Sequence, residues 1–129
     1  GRRAQARPAG PEEVVTFHVV LYRPKPGLDS GARQRFISAL AAARRDIGAV
    51  RRFWVGRRIA DGPTYQVGEM PDFPYAAVVE FDDRAGLIKY LAHPAHIALG
   101  REFGASVESA LVYDYDAVDA SAAEFVVEE

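Results

Sequence analysis

The chain has 129 residues, 49% of them apolar and 26% charged, a composition that suits one globular domain and excludes overall disorder. It holds no cysteine and no apolar run of eighteen residues, which excludes disulfides, thiolate nucleophiles, thiolate metal sites and a membrane-spanning helix. A net charge of −2 gives no reason to expect a nucleic-acid partner, and the lack of cysteine fits a reducing, cytoplasmic setting.

Residues 1–12 are polar, contain Pro8 and Pro11 and show no periodicity, so a flexible N-terminal arm is expected there. Arg2, Arg3 and Arg7 precede no apolar stretch, so the arm does not read as a secretory signal; Gly1 in place of Met leaves room for a removed leader. The folded domain is expected over residues 13–117. Val14 to Arg23 reads as its first strand, with Val15, Phe17, Val19 and Leu21 on one face and Thr16, His18, Val20 and Tyr22 on the other. Both sets are largely apolar, so both faces should be covered. Pro24, Pro26 and Gly27 end the strand. Asp29 or Ser30 then offers a helix N-cap, and Phe36, Leu40, Ala43 and Ile47 share one helical face. This predicts a helix over about Ser30 to Ile47, stopped by Gly48.

Val50 to Ile59 reads as a second strand. The turn-rich stretch Ala60 to Pro74 follows, and a loop of this length is the natural lid of a binding site. Tyr75 to Phe81, rich in valine and aromatics, reads as a third strand. Asp82 and Asp83 can cap a helix carrying Leu87, Ile88 and Leu91. Pro94 should break that helix at His93 and start a second piece running to about Ser106. Leu111 to Tyr115 is the expected last strand. Residues 118–129 form an acidic tail carrying Phe125, Val126 and Val127, expected to add a short strand or to stay loose.

The order β-α-β-β-α-β is the ferredoxin-like arrangement of the α+β class, with helices on one face of a four-stranded antiparallel sheet. The opposite face would then be bare and apolar, and the simplest cover is the same face of a second copy across a two-fold axis. A homodimer is therefore expected, two copies forming a dimeric α/β barrel. The pairs Arg44-Arg45, Arg51-Arg52 and Arg57-Arg58 read either as a phosphate or carboxylate site or as solvated helix ends and strand edges.

Tyr90-Leu91-Ala92-His93-Pro94-Ala95-His96, following Val78 to Phe81, is the most informative run. With His18 to Tyr22 near the start and Leu111 to Tyr115 near the end, it resembles the stress-responsive dimeric α/β-barrel (Dabb) family over roughly Val14 to Asp116. Members of that family form homodimers whose sheets pack into a barrel, and many have no assigned chemistry. One plant member is a polyketide cyclase that performs an intramolecular aldol condensation without metal or organic cofactor. The resemblance implies that its catalytic tyrosine and histidine correspond to Tyr90 and His96, and a first-strand histidine to His18. Where that enzyme has a further histidine, Tyr75 stands here.

The chemistry is consistent with this. His96, Leu99, Phe103 and Val107 fall on one helical face, so His96 should be partly buried. An imidazole can take a proton from carbon beside a carbonyl, and a tyrosine hydroxyl can donate to the enolate oxygen that forms. The structural alternative is that His93 caps the end of the first helical piece, His96 bonds a freed backbone carbonyl, and Tyr90 packs between helix and sheet. His18, Tyr22, Trp54 and Tyr75 are the candidate ligand-binding residues, with Tyr22 and Trp54 as walls of a pocket or of the dimer. His18, His93 and His96 lack a companion carboxylate at ligand spacing, so neither metal nor other cofactor is expected. The phosphate-cradling and Gly-x-Ser-x-Gly motifs are absent. Two functions stay open: a barrel that binds a small molecule without chemistry, or a cofactor-independent cyclase, isomerase or lyase using His96 as base and Tyr90 as donor. A cofactor-free monooxygenase is a third option, by analogy of fold alone.

Overall fold

The strand that is apolar on both faces lies inside the sheet, where both faces can be covered. The computed structural model of the protein describes residues 13–62, 65 and 71–128. In chain order the elements are β1 (Val15–Pro24), α1 (Ser30–Asp46), β2 (Arg52–Arg57), β3 (Tyr75–Phe81), α2 (Arg84–Ala92), α3 (Pro94–Ser106) and β4 (Val107–Ala117). Two short 3-10 turns follow, Ala120–Ala122 and Glu124–Val127. The strands form one antiparallel sheet in the order β2-β3-β1-β4, the ferredoxin-like topology expected from the sequence. The N-terminal arm and the middle of the expected lid, residues 63, 64 and 66–70, lie outside the described residues.

Each helix starts where a side chain accepts from a first-turn N–H that has no partner within the helix. Asp29 accepts from Ala32 N–H at 2.7 Å to start α1, and Asp83 accepts from Gly86 N–H at 3.0 Å to start α2. A side chain at Gly86 would bring its Cβ within 3.1 Å of the Phe81 Cβ, so glycine lets α2 sit close on β3.

Strand register decides which side chains meet the helices. Thr16, His18 and Tyr22 of β1 are buried, as are Phe81 and Val79 opposite the first two and Ala77 opposite Val20 on β3. With Ala43, Ile47, Val50, Leu87, Tyr90 and Leu99, the β3 residues Val79 and Phe81 form the core between sheet and helices. Phe81 is fully buried there, so Phe81→Ala should cost about 3–5 kcal/mol, read as a fall in the urea midpoint.

Among the described residues the other sheet face carries no helix. Val19, Val78, Trp54 and Tyr113 lie in one cross-strand row, flanked by Leu21 with Leu111 and by Phe17 with Tyr115. Trp54 is 68% exposed, and Leu21, Leu111, Tyr113 and Tyr115 are also open to solvent.

Three boundaries differ from the sequence expectation. β4 begins at Val107 rather than Leu111, because its register with β1 runs as far as Val107 opposite Pro24. The local Val-Glu-Ser-Ala sequence is a poor strand signal, and pairing overrides it. β2 spans Arg52–Arg57 rather than Val50 to Ile59, because β3 begins opposite Arg57 and only the Arg58 N–H bond to the Pro74 carbonyl continues the pairing. The tail makes 3-10 turns rather than a strand.

Candidate active site

Pro94 builds the site's one irregular stretch. Proline has no N–H, so it cannot serve the Tyr90 carbonyl four residues back. The His93 N–H takes that carbonyl instead, at 3.2 Å. Ala95 N–H then donates to His93 Nδ1 at 3.0 Å, so the His93 ring caps the start of α3 rather than the end of α2. That leaves the Leu91 carbonyl to accept from His96 Nδ1 at 3.1 Å. A carbonyl only accepts, so His96 carries its proton on Nδ1 and presents Nε2 as a base.

The His96 ring lines a cavity of about 250 Å3 between the sheet and α1, α2 and α3. Val20, Phe53, Ala77 and Val79 form the sheet wall, and Phe36, Leu40, Leu99 and Phe103 the helix wall. Three polar rings gather at one side: the Tyr90 and His96 centroids are 4.6 Å apart, and those of His18 and Tyr90 are 5.7 Å apart. Tyr22 packs in an aromatic cluster with Phe36, Tyr75 and Phe103. Among the described residues nothing hydrogen-bonds the Tyr90 hydroxyl, which is thus free to donate to a ligand.

His18 is fixed from the far side. Its Nδ1 lies 2.6 Å from Asp114 Oδ1, across the β1–β4 register pair that places the two residues opposite each other. The carboxylate accepts the Nδ1 proton in a charge-assisted bond, which fixes the orientation of the ring and turns its Nε2 edge away from Asp114. Burial holds the His96 imidazole below its usual value of 6.5; the Leu91 bond works against this and a charge on His18 works with it. At neutral pH His96 is therefore an uncharged base. Burial likewise pushes the Tyr90 hydroxyl well above its usual value of 10.0, which keeps it a donor.

Residues 16–117 match the family described as Stress responsive A/B Barrel Domain, or Dabb. The chain belongs to this family. Among solved structures, a Dabb family protein with a ferredoxin-like fold from Mesorhizobium loti is 26% identical, with a TM-score of 0.62 over 79% of this chain and 95% of that one. A hydroxynitrile lyase from Passiflora edulis is 19% identical, with a TM-score of 0.64 over 84% and 95%. A dimeric ferredoxin-like protein of unknown function from Thermobifida fusca is 16% identical, with a TM-score of 0.64 over 82% and 93%. No curated protein matches the sequence.

Within this Dabb fold, four of the six residues singled out in the sequence share the cavity wall: His18, Tyr22, Tyr90 and His96. Trp54 does not, because strand alternation turns it to the helix-free face, leaving it as a candidate dimer wall. Tyr75 stacks on Tyr22 at 5.6 Å and is not part of the wall. Asp114 was missed as a functional candidate; its signal was a charged residue in the apolar run Leu111 to Tyr115, opposite a histidine once the register is known. Four of the six paired arginines bond the protein's own carboxylates: Arg51 and Arg52 to Glu80 at 3.2 and 3.0 Å, Arg45 to Asp46 at 2.8 Å, and Arg58 to Asp72. Among the described residues no three His, Asp or Glu side chains gather as metal ligands.

Proposed function

We propose that this Dabb protein is a homodimer and that each protomer is a cofactor-independent enzyme acting on a small carbonyl compound, by proton abstraction from the carbon beside the carbonyl. The observation that carries the reading is the convergence of an uncharged His96 base and an unpartnered Tyr90 donor on one apolar cavity. His96 Nε2 takes the α-proton, and the electron pair moves to the carbonyl oxygen. Tyr90 O–H donates to that oxygen as its charge grows. The enolate then attacks a second carbonyl, expels a leaving group or is reprotonated elsewhere, and His96 returns its proton. His18, held by Asp114, orients a second polar group of the ligand. The apolar walls exclude water and strengthen these bonds.

The bond from His96 Nδ1 to the Leu91 carbonyl is compatible with a structural role, but it satisfies one ring nitrogen only. Pure ligand binding without turnover is the second reading, and Tyr90→Phe separates the two. This variant keeps the ring and removes a hydroxyl that holds no bond among the described residues. The catalytic reading expects kcat to fall by about 10²–10³ with little change in Tm. Unchanged turnover contradicts it.

The titration directions give a further expectation. Activity needs neutral His96, so the acid limb of kcat/KM should lie below pH 6.5, with no His96-dependent loss above it. Tyr90 should cause no alkaline limb before pH 10. A pH-rate profile over that range checks both. Asp114→Asn should release the His18 tautomer, seen by nitrogen NMR as a proton moving from Nδ1 toward Nε2.

The dimer rests on the apolar helix-free face. It is also supported by the dimeric state of the T. fusca neighbour. Packing two such faces together removes the exposed row around Trp54 from water.

A further inference from the structure

Three wall residues of the cavity are exposed, Leu91, Gly100 and Val112, and they mark where it reaches solvent. Gly100 is the unexpected one. It sits inside α3, where glycine costs about 1 kcal/mol relative to alanine. The fold does not require it, since a Cβ built there meets nothing within 4 Å. It lies one helical turn beyond His96, so a side chain at this position would enter the space beside the base.

The cavity itself limits what can use that opening. A cavity of about 150 Å3 takes benzene, so 250 Å3 holds a ligand of roughly ten heavy atoms. Among the described residues the wall contains no Lys, Arg, Asp or Glu, so a charged group inside would be desolvated without a counter-charge. Val20, Leu40, Ala77, Val79, Leu99 and Phe103 suit an alkyl or aromatic tail, and the His18, Tyr90 and His96 side suits one carbonyl.

We propose that Gly100 determines specificity: its missing side chain holds open the mouth through which an uncharged, largely apolar carbonyl compound of about ten heavy atoms enters, with its carbonyl at Tyr90 and His96. This rests on the reading of the cavity as a site for a small carbonyl compound. Gly104, one turn further along α3, also has nothing within 4 Å of a built Cβ but is not in the cavity wall, and it serves as the control.

The test titrates nonan-2-one, and octanoate as its charged counterpart, into wild type and into Gly100→Ala, Gly100→Leu and Gly104→Leu, by calorimetry and by imidazole NMR. Wild type is expected to bind the ketone with a shift in the His96 resonances and to bind octanoate more weakly. Gly100→Leu is expected to weaken ketone binding by about tenfold or more without a lower Tm, and Gly104→Leu to leave it unchanged. Gly100→Ala should fold with an equal or higher Tm and weaken binding less, which keeps the test decisive if the leucine variant fails to fold. Equal ketone affinity in wild type and the Gly100 variants would overturn the role of Gly100 while leaving the binding site intact. Equal affinity for octanoate would overturn the charge selectivity. No ketone binding by wild type would overturn the cavity reading and this proposal with it.

Discussion

Replacing His96 with alanine is expected to lower turnover by about two to four orders of magnitude while leaving the protein folded. The variant removes the cavity base whose tautomer is fixed by the Leu91 carbonyl. It also removes the ring packed at 4.6 Å from Tyr90. The structural cost is one hydrogen bond and partial side-chain burial, about 1–2 kcal/mol, or several degrees in Tm. The Pro94 break should survive, because the His93 N–H bond to the Tyr90 carbonyl and the His93 cap on Ala95 do not involve the His96 ring. Activity assayed beside a thermal melt checks both parts. A large fall in Tm with no activity to lose in the parent would mean that His96 is a structural residue.

Trp54→Asp is expected to convert the dimer to a folded monomer. Trp54 is 68% exposed in the protomer, so its replacement removes no core packing. It stands in the cross-strand row with Val78, Val19 and Tyr113, in the middle of the apolar face. A central tryptophan typically contributes about 2 kcal/mol or more to an interface, and a two-fold axis counts each substitution twice. The expected loss is therefore about 4 kcal/mol, roughly a thousandfold in Kd, before the cost of burying the new carboxylates. Sedimentation over a concentration series reads this directly. Trp54 is also the only tryptophan in the chain, so wild-type emission should shift to the red as the dimer dissociates on dilution. Unchanged mass in the variant and emission independent of concentration would place the interface elsewhere.

What could be read from the sequence was what is locally determined. β3 and both ends of α3 were legible because Pro94 has a single tolerated place in a helix start, and Tyr75 to Phe81 is unambiguously strand-like. The two-sided apolarity of β1 told that both sheet faces need cover, but not which face meets the helices, since His18 and Val19 lie in equally apolar rows. Register with β3 settles this, and it sends Phe53 to the cavity and Trp54 away from it. The same limit hid Asp114, whose role depends on lying opposite His18 across ninety-six residues of chain. The resemblance points to Tyr75 as a pocket residue, whereas in the structure it stacks on Tyr22 and is not part of the cavity wall. The His93 cap was expected at the right residue but at the wrong helix end. The His93 ring accepts from the Ala95 N–H, while the Leu91 carbonyl is bonded by His96.

The most direct measurement is hydrogen exchange at carbon: nonan-2-one incubated with the protein in D2O near neutral pH and followed by proton NMR at the positions beside the carbonyl. Deuterium uptake there is expected well above the buffer rate, lost in His96→Ala and strongly reduced in Tyr90→Phe. Binding of the ketone with no exchange above buffer, or equal exchange in the His96 variant, would contradict the role of His96 as base.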